Sequence, residues 1–112
     1  MPSADAQRAI TIDSVVVAAK DQVSSYLAGE VVVLSLQTGR YYGLDRVGAR
    51  IWDLLRTPAR VADIRDAIVR QYEVEPDHCE RDVLTLLQRL ASQELIEITD
   101  GTDQIGSPAR TE

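Results

Sequence analysis

Between Arg40 and Arg56 the chain reads RYYGLDRVGARIWDLLR, and no other stretch restricts the fold as much. Tyr41-Tyr42-Gly43-Leu44 has the aromatic, alternating character of a short strand. Asp45 follows at once, and its carboxylate can accept backbone N–H bonds at a helix start. Beyond it Val47, Ile51, Trp52, Leu54 and Leu55 recur at the spacing of a buried helical face. The strand therefore runs straight into an amphipathic helix.

Upstream the pattern is β. Residues 15–19 (VVVAA) suit a short first strand, Val23 to Ala28 a better-bounded one, and Val31 to Leu36 a strongly β-branched one. Ala28-Gly29-Glu30 is a turn between the last two. Gln37-Thr38-Gly39 fits a three-residue hairpin loop with Gly39 in the left-handed position. That loop pairs Leu36 with Arg40, Leu34 with Tyr42 and Val32 with Leu44. A two-residue Thr-Gly loop would pair Leu34 with Gly43 instead. The first register gathers Val32, Leu34, Leu36, Tyr42 and Leu44 on one buried face and is preferred, leaving Tyr41 and Gly43 to point away.

Downstream the pattern is helical. The helix opened by Asp45 spans about 46–56 and stops at Thr57-Pro58. A second, about 61–72, aligns Val61, Ile64, Ile68 and Tyr72 on one stripe. A third, about 76–93, begins with Pro76, a residue suited to a first helical turn. Leu95-Ile96-Glu97-Ile98 closes as a short strand or wing. The expected fold is α+β: a three-stranded antiparallel sheet, three helices and a closing strand, the layout of a winged helix-turn-helix domain. The polar ends, 1–14 and 99–112, read as flexible segments flanking a domain at 15–98.

Composition removes several classes of function. At 112 residues there is room for one modest core. A net charge of −6 argues against nucleic acid or an anionic membrane as the main partner. No apolar run approaches the roughly 18–20 residues of a membrane span, and the N-terminus lacks a secretory signal. The single cysteine, Cys79, excludes an internal disulfide and suits the cytoplasm. His78 and Cys79 are adjacent, so on a helix they point about 100° apart and cannot act as a nucleophile and base together. Asp77, His78 and Glu80 include one histidine only, a poor metal set. Phosphate-binding glycine loops are lacking. Neither catalysis, nor a cofactor, nor a metal is expected.

The third helix carries more apolar surface than a core requires. At about 100° per residue, Leu86, Cys79, Leu90, Val83, Leu87, Ala91 and Leu84 cover an arc of roughly 160°, against the roughly 100° or more of a helix lying on a core. Asp82 and Arg89 border the Leu86 edge. An apolar shoulder flanked by one acid and one base suits a peptide groove; a helix packed on two neighbours would show the same arc.

In order, the motifs are a β-hairpin, Gly39-Arg40-Tyr41-Tyr42-Gly43-Leu44-Asp45 feeding the Ile51-Trp52 helix, and a second helix ending at Gln71-Tyr72. Val74-Glu75-Pro76-Asp77 then leads into the third helix, and Leu95-Ile96-Glu97-Ile98 closes the series. From Val23 to Ile98 this order resembles the PqqD family, small recognition elements that bind the leader segment of ribosomally made peptides. Glu75 departs from it, standing where an aspartate is expected. The resemblance implies a leader peptide docking as an added strand along Arg40, Tyr41, Tyr42, Gly43 and Leu44. The leader's apolar side chains would enter a cleft beside Val83, Leu86, Leu87 and Leu90, with Asp82 and Arg89 fixing orientation at the rim. Within the family the chain looks most like the free-standing B protein of lasso-peptide pathways, where a leader-cleaving protease and a cyclase are separate enzymes. A PqqD-type chaperone serving a radical enzyme is the nearest alternative. Edge-strand pairing uses backbone groups, so an extended peptide can bind there whatever its side chains.

The winged-helix layout also raises DNA binding. A recognition helix offers Arg, Lys, Asn or Gln to the groove, whereas the third helix sets Asp77, Glu80 and Asp82 against Arg81 and Arg89. A protein–protein adaptor with no peptide substrate is the third class.

Overall fold

A computed structural model describes residues 9–99. Six strands and three helices follow in the order β1 (Val15–Ala18), β2 (Gln22–Leu27), β3 (Glu30–Ser35), β4 (Tyr41–Leu44), α1 (Arg46–Leu54), β5 (Ala59–Arg60), α2 (Val61–Tyr72), α3 (Pro76–Ser92) and β6 (Ile96–Thr99). The fold is α+β with two small antiparallel sheets, β5-β1-β6 and β2-β3-β4. Sequence reasoning expected one sheet and an isolated closing strand. Instead β1 leaves the hairpin and pairs with β6, Val16 opposite Ile98 and Ala18 opposite Ile96. Val16, Ile96 and Ile98 are all buried, so the two strands close one end of the core together.

Local chemistry sets the elements where expected. Ala28 and Gly29, at φ 55° and 84°, form the two-residue turn joining β2 to β3, with Leu27 opposite Glu30. The Asp45 carboxylate accepts the Gly48 N–H at 2.8 Å and starts α1. Gly48 sits close to the strand end there, since a Cβ would lie 3.2 Å from two Leu44 side-chain atoms. Glu75 caps α3 by accepting the His78 N–H at 2.8 Å, with Pro76 in the first turn. Glu73 ends α2 in the left-handed region, at φ 53°. A glycine is free of the strain that a side chain meets there. Glu73→Gly should therefore raise stability by about 0.5–1 kcal/mol in urea denaturation.

The expected hairpin register is corrected. β3 and β4 pair Val31 with Leu44, Val32 with Gly43, Val33 with Tyr42 and Leu34 with Tyr41. The loop has four residues, Leu36 to Gly39. It is closed by Ser35 N–H donating to the Arg40 carbonyl (2.8 Å) and Gly39 N–H donating to the Ser35 carbonyl (2.9 Å). Gly39 keeps the left-handed position, φ 74°, but the extra residue reverses the faces of β3. Val31 and Val33 are buried, whereas Val32, Leu34 and Leu36 are exposed on the sheet's outer side. Tyr42 and Leu44 point inward and Tyr41 and Gly43 outward, as expected.

α1 lies against β3, β4 and α2, and α3 packs on α2 and β6. Trp52 is 2% exposed and its indole N–H donates to Ser24 Oγ at 2.9 Å. Sequence spacing placed Val47 in the core, but it is 37% exposed. The expected N-terminal tail is corrected in part. Ile10 is buried, its N–H donates to Gln88 Oε1, and the Ile12 and Ser14 carbonyls accept from Ala62 and Val61. The C-terminal tail beyond Thr99 lies outside the described residues, as does the first part of the N-terminal one.

Candidate functional site

Strand pairing leaves β4 open on one side. The Ser35–Arg40 bond makes Ser35/Arg40, Val33/Tyr42 and Val31/Leu44 the hydrogen-bonded pairs of the ladder. In an antiparallel sheet the residues between such pairs turn their N–H and C=O groups outward. Tyr41 and Gly43 therefore present backbone groups that no strand among the described residues pairs, at the edge of sheet β2-β3-β4. A Cβ on Gly43 would meet nothing within 4 Å, so the outward face of the strand is open there.

Beside that edge lies a cleft of about 650 Å³. One wall is the β4–α1 junction, from Tyr42 through Asp45 to Val47, because the Asp45 cap turns the chain there. The facing wall is α3, with Asp82, Leu86 and Arg89 one helical turn apart. Buried Ile51, Ile68, Cys79 and Val83 form its base. Tyr72, Val74 and His78 border it where α2 passes into α3.

The structure sorts the sequence-derived residues. Tyr42, Gly43, Leu44, Asp82, Val83, Leu86 and Arg89 line the cleft. Arg40 and Tyr41 do not; they lie exposed at the edge, Tyr41 at 75%. Leu87 and Leu90 do not line it: both are 0% exposed, on the face of α3 that packs into the core. Sequence reasoning missed Val47, Tyr72, Val74, His78 and Thr85, which also line the cleft. The four-residue spacing of Val47 and Ile51 could have found the first, had the stripe been allowed to run past the core.

The electrostatics are modest. His78 Nε2 lies 3.1 Å from Asp82 Oδ2, both exposed at the rim. Asp82 thus has a partner on its own helix, while Arg89 forms no ion pair among the described residues. Glu80 on the neighbouring face is held by Arg65 at 2.8 Å. Burial, reinforced by the negative charge of Asp82, pushes the Cys79 thiol up from its ordinary range. Folding thus favours the protonated thiol and opposes its ionisation as pH rises. Iodoacetamide at pH 8 should label Cys79 at least about tenfold more slowly in the folded protein than in urea. Among the described residues no group of three His, Cys, Asp or Glu side chains is placed to hold a metal ion. None of the helices there is long and apolar enough to cross a membrane.

A free strand edge alongside an apolar cleft is the geometry of a peptide-docking module. The comparisons agree with that class. Residues 30–96, more than half of the chain, match the family model for coenzyme PQQ synthesis protein D (PqqD). The chain belongs to the PqqD family. It is 46% identical to TbiB1, whose structure was solved in complex with the TbiA(beta) leader peptide. That match has a TM-score of 0.68 and covers 72% of this chain and 94% of TbiB1. The PqqD truncation of Methylobacterium extorquens PqqCD, described as a stand-alone RiPP recognition element, shares the fold at 21% identity. Its TM-score is 0.67, over 80% of this chain and 95% of that one. No curated protein sequence matches.

Proposed function

We propose that this protein is a non-catalytic recognition element that binds the leader segment of a ribosomally made precursor, a lasso peptide, by strand addition at β4. The open Tyr41 and Gly43 backbone beside the apolar cleft carries this reading, and the 46% identity to TbiB1, solved with a leader peptide, supports it. Leader residues on one side of the added strand would enter the cleft between Val47 and Leu86, and those on the other would face solvent beside Tyr41. Asp82 and Arg89 set the peptide's direction at the rim. The binding unit runs from Ile10 to Thr99, with α2, α3 and β6 as its winged helix-turn-helix half. It works in the cytoplasm and hands the precursor to a leader-cleaving protease and a cyclase.

The test is fluorescence anisotropy with two labelled peptides, the TbiA(beta) leader and the leader of the precursor encoded beside this chain's gene. Saturable binding of at least one is expected, with no cleavage or modification of the peptide. Failure of both to bind would refute the reading, and turnover by the purified chain would refute its non-catalytic part.

DNA binding is disfavoured by α3 itself. Asp77, Glu80 and Asp82 share its first half with one arginine, Arg81, so few counterions would be released from a duplex. At about 150 mM salt the protein should give no mobility shift with random duplex DNA. A tight, sequence-dependent shift would revive the regulator reading.

A further inference from the structure

Four glycines occur among the described residues, and the fold accounts for three of them. Gly29 and Gly39 hold turns at φ 84° and 74°, where a side chain is strained. Gly48 lets α1 approach Leu44, two of whose side-chain atoms lie 3.2 Å from where a Cβ would stand. Gly43 has neither reason. Its φ lies outside the left-handed region, and a Cβ there would meet nothing within 4 Å. Yet it stands inside β4, where a glycine weakens the strand by offering no side chain to pack and more freedom to lose. A strand glycine that its own fold does not require marks a place where a ligand approaches.

The missing side chain leaves a notch on the outer face of sheet β2-β3-β4, away from the cleft. The register sets Gly43 between Val32 of β3 and the β4 edge, and Tyr41 flanks it two residues back on the same face. Val32 is 45% exposed and Tyr41 is more so, which makes both walls apolar surface open to solvent. Ser25 stands beyond Val32 in the same cross-strand row. No charged residue occurs in that row or in the neighbouring one, Val23–Leu34–Tyr41.

We infer that the Gly43 notch is a second leader subsite, for one large apolar side chain, an inference that rests on strand addition at β4. In an added strand the residue opposite Gly43 faces outward with it. That residue starts one strand spacing away, roughly 4.8 Å, so only a side chain of about that reach can lie over Gly43 and touch Val32. Phe, Tyr, Trp and Met extend that far; Ala, Ser and Val do not. A ring laid across a strand glycine also covers the backbone that the glycine leaves bare. The uncharged walls select an apolar group, because a carboxylate or ammonium would lose water there without gaining a partner. The leader is thus held on both faces, by the cleft inside and by the notch outside.

Intermolecular NOEs to the Gly43 amide of the full ¹⁵N-labelled chain locate the leader residue opposite it, with whichever of the two leaders binds. Versions of that leader carrying Phe or Ser at this position are then compared by anisotropy. The Phe leader is expected to bind about fivefold more tightly, or better. Gly43→Thr keeps the backbone but fills the notch, and Val32→Ser removes its far wall; each should cut the preference to about twofold or less. Gly43→Thr should also raise the Tm of the free protein by about 2–5 °C, since a β-branched residue suits an outward strand position. A glycine needed by the fold would give the opposite shift. Equal binding of the Phe and Ser leaders, an undiminished preference in either variant, or a lower Tm in Gly43→Thr would overturn the inference and leave leader binding standing. Absence of leader binding, or of any leader contact with Gly43, would instead refute strand addition at β4 and the notch with it.

Discussion

Leu86→Arg is expected to weaken leader binding several-fold to a hundredfold, about 1–3 kcal/mol, while the protein remains folded. Leu86 is only partly buried and lines the α3 wall of the cleft. A guanidinium there can reach water in the free protein, so folding loses little. In the complex the same group would be covered by the leader's apolar side chains, and its desolvation would oppose binding. Anisotropy titration measures the loss and circular dichroism checks the fold. A folded variant that binds leader like the parent would mean the cleft is not the docking surface.

Leu87→Ala should do the opposite. Leu87 is one residue further along α3, fully buried in the core formed with Leu90, Trp52 and Ile64. Truncation removes buried apolar surface and leaves a cavity, which costs about 2–5 kcal/mol. For a domain of this size that corresponds to a fall in Tm on the order of 10 °C or more. The folded fraction should bind leader with near-parent affinity, since Leu87 is absent from the cleft. A variant of parent stability with poor binding would return Leu87 to the site.

The contrast between these neighbours shows where the sequence stopped being legible. The apolar arc of α3 was plain from helical spacing, but an arc does not say which part is covered. Packing against α2 and β6 takes Leu87 and Leu90 completely and leaves Leu86 at the edge. The same limit applies to Val47. It shares the α1 stripe with Ile51, yet it stays 37% exposed and lines the cleft.

By itself the sequence determined what is settled within a few residues. The Asp45 cap, the Pro76 start of α3, the left-handed Gly39 and the extents of the helices follow from side chains bonding to, or constraining, their own local backbone. The alternation within β4 was legible too, Tyr42 and Leu44 on one face and Tyr41 and Gly43 on the other, although the register from which the inward face was chosen was not the observed one. The tertiary structure alone decided the β3 register and the partner of β1. Loops of three or four residues both place Gly39 in its favoured conformation, so turn chemistry does not choose between them. The choice falls to the face of β3 that α1 covers, and with it Val31 and Val33 go inside while Val32 and Leu34 face out. β1 could pair with the hairpin or with β6, about eighty residues away in sequence, and only the closing of the core by Val16, Ile96 and Ile98 selects the latter. Pairings of that range depend on which apolar faces meet, and no local stretch of the chain contains that information.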